Sequence, residues 1–146
     1  MTTLRERLGA GDKRKALIRD ACDVLDQEVG DKGGLSGMAI KGAYAIVKGI
    51  KPGFIGEVVD ALLDDFLDAL NPLSEEALAQ GQTPGKFLAA NDERVAETLL
   101  AITDERVEGT SRAVIRKTYD KLRPTAKKHV AAAAPRLGQM LDRHLT

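Results

Sequence analysis

Four acidic side chains of this sequence are spaced so that they share one face of a predicted helix. This acidic row comprises Glu57, Asp60, Asp64 and Asp68, all on the polar side of the segment that follows Pro52. Paired carboxylates serve as acid and base when different surroundings separate their pKa values, whereas these four share one polar stripe. We therefore interpret the acidic row as a solvated interaction face with a basic partner opposite it, and we predict no catalytic or metal site there.

Basic side chains form two candidate anion-binding groups. The first is a stripe of Lys41, Lys48 and Lys51 beside Tyr44, on an apolar segment. The second is a run in the last third of the chain, with Arg116, Arg123, Lys127, Lys128 and His129 as its candidate binding residues. Nucleic acid is an unfavoured ligand, because Tyr44 and Tyr119 are the only aromatic stacking platforms among these groups. An anionic small molecule or a lipid is the ligand that we expect for such a site.

The inventory of nucleophiles and metal ligands is small. Cys22 is the only cysteine, and the apolar neighbours Ile18 and Leu25 at helical spacing predict a small buried thiol. The two histidines, His129 and His144, stand fifteen residues apart without a second ligand at metal-binding spacing. No set of nucleophile, base and oxyanion donor can be assigned. The sequence therefore favours a protein that is not an enzyme, with no metal and no cofactor.

The elements that position these groups are predicted to be helices. Apolar residues recur with a period near 3.6 along almost the whole chain. This pattern predicts an all-α protein with a single domain over residues 1–146, a bundle of about five principal helices plus short connecting helices. The segment 35–51 is apolar nearly all round, so we expect a buried central helix whose lysines reach out past their stems. Thr3, Asp12 and Thr83 are predicted to cap helices. Pro72, Pro124 and Pro135 are expected to end or restart helices.

The hydropathy pattern also bears on location. The basic residues of the first fifteen positions are not followed by an apolar run of signal-peptide length. The apolar segment 33–50 contains Lys41 and Lys48, which argues against a transmembrane segment. We therefore expect a cytoplasmic protein.

Two blocks of the sequence are distinctive enough to carry a resemblance. The first, LSGMAIKGAYAIVKGIKPGFIGEVVDALLDDF, covers residues 35–66, and the second, YDKLRPTAKKHVAAAAP, covers residues 119–135. Both resemble a family of small bacterial all-helical proteins of unassigned function. The resemblance implies an intracellular helical domain of this length and transfers no catalytic residues.

The net charge is zero but segregated along the chain. Lys plus Arg and Asp plus Glu number 22 each, yet residues 52–85 carry seven acidic and no basic groups, and residues 111–146 carry nine basic and two acidic groups. Segregated charge favours pairing between helices or complementary contact between chains. The leading hypothesis is a non-enzymatic protein that works by association, with itself or with a protein partner, through these acidic and basic surfaces. The alternative is a small-molecule or lipid carrier with an apolar pocket beside Gly42 and Gly49, in which lysines hold an anionic head group.

Overall fold

The computed structural model describes residues 2–146, and within that range the chain forms seven α-helices and no β-strand. They are α1 Leu4–Leu8, α2 Gly11–Asp31, α3 Gly34–Lys48, α4 Phe54–Ala79, α5 Pro84–Ala90, α6 Asp92–Glu108 and α7 Ala113–Leu145. Five of these helices have 15 residues or more, and α1 and α5 are short. The prediction of an all-α bundle with about five principal helices is confirmed.

Two short helices begin at the caps that the sequence predicts. The Thr3 hydroxyl accepts a hydrogen bond from the Glu6 amide at 3.1 Å, and the Thr83 hydroxyl accepts one from the Lys86 amide at 3.3 Å. Each hydroxyl satisfies a backbone donor that has no partner within the helix. The predicted cap at Asp12 is wrong, because α2 begins one residue earlier and Asp12 lies in its first turn.

The prolines do not end the helices, which corrects the sequence-based expectation. Helix α4 runs through Pro72, and α7 runs through Pro124 and Pro135. An interior proline removes one helical hydrogen bond and costs about 3 kcal/mol. Beyond these prolines the helices bury apolar side chains such as Leu73 and Leu141, at about 1.5–3 kcal/mol each. Tertiary packing therefore offsets the local cost.

Helices α4 and α7 organise the core, while α3 lies at its edge. Helix α7 packs against α1, α2, α3, α5 and α6, and α4 packs against α1, α2, α3, α5 and α6. The core cluster consists of Leu4, Leu8, Leu17, Val24, Leu63, Leu67, Leu73, Ala77, Phe87, Leu88, Val95, Ala134, Met140 and Leu141. None of these residues belongs to α3. The expectation of a buried central helix over residues 35–51 is therefore wrong.

Glycines let α5 cross closely over α7. A Cβ atom added at Gly138 would lie 3.0 Å from the Cα atom of Gly85 and closer still to its carbonyl oxygen. Asp142 secures the same crossing, because its carboxylate accepts hydrogen bonds from the Gly85 amide and the Thr83 hydroxyl, each at 2.8 Å. The first turn of α5 is thus fixed to α7 by backbone contact and by one acidic side chain.

Candidate interaction surface

Arginines from the first two helices form ion pairs with the acidic row of α4. Arg14 donates hydrogen bonds to Asp60 at 2.9 Å and to Asp64 at 2.8 Å. Arg5 lies 2.9 Å from Asp68 and 3.3 Å from Asp64. The hydrogen bond from Arg14 is the main cause that holds the pKa of Asp64 below its ordinary value. The sequence rightly predicts basic groups opposite the row, and they come from within the chain.

The fourth acid of the row is also paired. Glu57 lies 3.0 Å from Lys51, the last lysine of the predicted stripe. The acidic row is therefore a seam between parts of one chain, with internal partners for each of its four carboxylates. A surface whose charges are already paired offers little complementarity to a second molecule.

Tyr44 and Lys48 of α3 both engage Asp26 of α2. The Tyr44 hydroxyl donates to Asp26 at 2.6 Å, and the Lys48 ammonium lies 3.4 Å from the same carboxylate and 5.2 Å from the centre of the Tyr44 ring. Burial, followed by the hydrogen bond to Asp26, raises the pKa of Tyr44 above its ordinary value. Lys41 is exposed and forms no ion pair within residues 2–146. Tyr44 and Lys48 therefore fasten one side of α3 to α2.

The predicted basic run of α7 is dispersed among separate partners. Arg123 binds both carboxylate oxygens of Asp104, at 2.8 and 3.0 Å, and Lys127 lies 2.8 Å from Glu97. Arg116 donates to the carbonyl oxygen of Thr110 at 2.8 Å. The run therefore joins α7 to α6 and to the preceding turn.

Tyr119 and Asp104 lie together in an open cleft of about 330 Å³ between α6 and α7. The Tyr119 hydroxyl hydrogen-bonds Asp104 and lies 2.7 Å from the Thr103 hydroxyl. The hydrogen bonds from Arg123 and Tyr119 lower the pKa of Asp104. Val107 is the one aliphatic residue among the lining side chains, which also include Glu108, Arg116 and Asp120. A polar cleft of this kind does not provide the apolar walls that a carrier needs.

His129 and Lys128 behave differently, although they are adjacent. Lys128 is exposed and has no ion-pair partner in the described part of the chain. His129 is half-buried, its carbonyl oxygen accepts a hydrogen bond from Lys32 at 3.3 Å, and its Nε2 atom is buried with no partner among residues 2–146. Burial, then the charges of Lys32 and Lys128, lower the pKa of His129. A neutral, inward-facing imidazole does not add to an anion site.

His144 and Cys22 are the remaining titratable candidates. His144 lies 2.9 Å from Asp20, and Arg143 donates to the same carboxylate at 2.8 Å, which ties the end of α7 to α2. Cys22 is half-buried rather than fully buried. Burial, with the charges of Asp26 and Asp23, raises the pKa of Cys22. A thiol with a raised pKa is a poor nucleophile.

Helix α3 carries an uncovered apolar surface, where the sequence pattern predicts a buried helix. Leu35 is 88% exposed, Met38 69% and Ile46 53%. We call the surface that they share the α3 face; its residues are Leu35, Met38, Ala39, Gly42, Ala45, Ile46 and Gly49, all exposed. At 100° per residue, these residues span an arc centred on Gly42, with Lys41 and Lys48 along one edge.

The centre of the α3 face, at Gly42, borders open space. A Cβ atom added at Gly42 would meet nothing within 4 Å. Large contiguous apolar patches are rare on soluble proteins and mark contact surfaces. The sequence of α3 is apolar on nearly every side, a pattern that predicts burial. Only the opposite side of α3, which carries Gly37 and Ala43, is buried. The apolar residues of the α3 face remain exposed.

The fold and this surface define an all-α, single-domain protein with one uncovered apolar helix. No helix within residues 2–146 has both the length and the apolar character that crossing a membrane requires. A family model covers residues 4–145, and its description is "Family of unknown function (DUF6918)". The chain belongs to this family, as the resemblance indicated. No curated protein and no solved structure matches the chain.

Proposed function

We propose that this protein is a non-enzymatic association module whose contact surface is the α3 face. The observation that carries the proposal is the exposure of Leu35, Met38 and Ile46 on one helix. An apolar surface of this kind gains free energy when a second chain removes it from water. Association is also the function expected from the sequence, but the contact surface proposed here is the α3 face instead of the charged surfaces.

The pairing of charges within the chain supports this change of surface. Arg5, Arg14 and Lys51 pair with the acidic row, whose side chains stay 40–58% exposed. Arg123 and Lys127 of the basic run are engaged by acids of α6. The segregation of charge along the sequence therefore serves pairing between helices, and the α3 face is left for contact between chains.

The cytoplasm is the compartment that we propose for this activity. The single cysteine offers no disulfide within the chain. Ion pairs tie both ends of the chain to the bundle instead: Arg5 pairs with Asp68 of α4, and Arg143 pairs with Asp20 of α2.

The carrier alternative stays a prediction, and the open space beside Gly42 gives it no support.

Site-specific photo-crosslinking in the producing cell tests the contact surface. A photoreactive phenylalanine analogue is placed at Met38, and the matched control is the same analogue at Leu78, an exposed side chain on α4 that is 53% accessible. We expect protein adducts from position 38 that are absent from position 78 and are lost when Ile46→Gln is added. Adducts that form equally at both positions, or at neither, would contradict the proposal. Peptide mass spectrometry identifies the crosslinked chain.

A further inference from the structure

We infer that the partner of the α3 face is a second copy of this chain, with the two α3 helices packed antiparallel about a two-fold axis at Gly42. This inference rests on the proposed function and names the occupant of its surface. It follows from the spacing of the exposed residues, from the charges at the edge of the face and from the size of the face.

The exposed residues of α3 are arranged symmetrically around Gly42. Met38 lies four residues before Gly42 and Ile46 four residues after it, and Ala39 and Ala45 lie three residues to either side. In an antiparallel pair centred on Gly42, each Met38 therefore lies level with the partner's Ile46, and this contact occurs twice. A two-fold interface requires such reciprocal contacts, in which residue i meets j and j meets i.

In this antiparallel arrangement a large side chain of one copy also lies opposite a glycine of the other. Leu35, seven residues before Gly42, lies level with the partner's Gly49, seven residues after it. The most exposed side chain of the face thus meets a residue without a side chain. Gly42 itself has open space where a Cβ atom would stand, so the two backbones can approach closely at the axis. Close helix packing depends on such alternation of large and small residues.

The charges of α3 are confined to one edge of the face. No charged residue lies within the arc from Ala45 to Ala39, and α3 contains no acid. An uncharged strip fits a partner surface that is also uncharged, and α3 of a second copy has one. In the antiparallel pair, Lys41 and Lys48 of both copies lie on the same side of the contact between the two α3 helices. Added salt should therefore strengthen the dimer by screening their repulsion. An anionic membrane or polyanion would show the opposite dependence.

The size of the face indicates a helix as partner and a reversible dimer. At 1.5 Å per residue the face is about 22 Å long, and it is about as wide as one helix, roughly 10 Å. A standard protein interface covers about 800 Å² on each partner. The area of the face, about 220 Å², is roughly a quarter of that value, so we expect a weak dimer that forms at high protein concentration and dissociates at low concentration.

Cysteine crosslinking tests both the partner and the orientation. In a Cys22→Ser background, Met38→Cys chains are mixed with Ile46→Cys chains that carry a tag for mass, and the mixture is oxidised. We expect the mixed disulfide to exceed either same-site disulfide by about tenfold, because only this pair falls within disulfide reach in the antiparallel arrangement. Leu78→Cys, on α4, is the control and should remain uncrosslinked. Circular dichroism melting confirms that each variant is folded.

Other results would contradict the antiparallel dimer or replace the second copy as partner. Dominant Met38–Met38 disulfides would show parallel packing and overturn the inference, as would the absence of any adduct. A monomer whose α3 face binds vesicles of phosphatidylglycerol, with loss of binding at high salt, would overturn it in favour of a membrane surface. If cellular crosslinking at position 38 yields a different protein, the second copy is excluded as partner while the proposed function stands.

Discussion

Arg14 donates a hydrogen bond to Asp64 at 2.8 Å, and this contact lies at the centre of the seam between α2 and α4. The same guanidinium binds Asp60 and the carbonyl oxygen of Gly9. One side chain therefore joins α2, α4 and the turn after α1. The acidic row is consequently part of what holds the bundle together.

Removal of Arg14 should destabilise the protein. Arg14→Gln loses hydrogen bonds to two carboxylates and two carbonyl oxygens, and we expect the free energy of unfolding to fall by about 1–2 kcal/mol. Urea unfolding measures this change. The control is Arg19→Gln on the same helix, an exposed arginine without an ion pair in the described residues, for which we expect a change within about 0.5 kcal/mol. Equal effects of the two substitutions would contradict the role given to Arg14.

Acid should weaken the contact between α6 and α7. In the folded protein, hydrogen bonds from Arg123 and Tyr119 hold the pKa of Asp104 below its ordinary value. A group whose pKa is depressed by folding contributes stability above its unfolded pKa and loses it as the pH falls through the folded pKa. The stability difference between wild type and Asp104→Asn should therefore stay constant from pH 7 to about pH 4 and shrink as the pH falls further. Asp120→Asn, which removes a nearby acid without an ion pair within residues 2–146, should show a small difference at both pH values.

The crossing of α5 and α7 should not accept a side chain. The methyl group of Gly138→Ala would collide with the backbone of Gly85, and such overpacking typically costs about 1–3 kcal/mol. Thermal unfolding followed by circular dichroism should show a lower melting temperature. Gly30→Ala is the matched control, since its Cβ atom meets nothing within 4 Å in α2; it should raise the stability by up to about 1 kcal/mol. A neutral Gly138→Ala would show that the helices can move apart at no cost.

Replacing one interior proline should stabilise the protein. Pro124 is exposed in the middle of α7, and Pro124→Ala restores a helical hydrogen bond while giving the unfolded chain more freedom. We expect a net gain of about 2 kcal/mol in urea unfolding. Pro52→Ala, in the turn before α4, should instead lower the stability by less than about 1 kcal/mol. A loss of stability in Pro124→Ala would show that the proline shapes α7 for its packing.

Local signals in the sequence were sufficient for the helices and insufficient for their arrangement. The caps at Thr3 and Thr83 depend on contacts within a few residues, so spacing alone reveals them. The path of α4 through Pro72 depends on burial of Leu73 and Ala77 in a core assembled from distant helices, which no local pattern contains. The ion pair of Arg14 with Asp64 joins residues 50 positions apart, and segment charges alone cannot predict it.

The position of α3 shows the same limit for the candidate site. Composition indicates that α3 is apolar, and both a buried core helix and an interface helix have that composition. The tertiary structure decides between them, because the contacts of α3 with α2, α4 and α7 cover only the side that carries Gly37 and Ala43. The symmetric spacing around Gly42 was present in the sequence and gains its meaning once that side is known to be exposed.

Sedimentation equilibrium over a wide range of protein concentration tests the central claim most directly. We predict a reversible dimer for the wild type. Ile46→Gln should raise the dissociation constant about tenfold or more, because Ile46, exposed in the single chain, is buried in the dimer and each copy would lose that burial. Leu78→Gln, equally exposed on α4, should leave the dissociation constant unchanged. A chain that stays monomeric at every concentration, or a dimer that Ile46→Gln does not weaken, would contradict the assignment of the α3 face as the contact between copies.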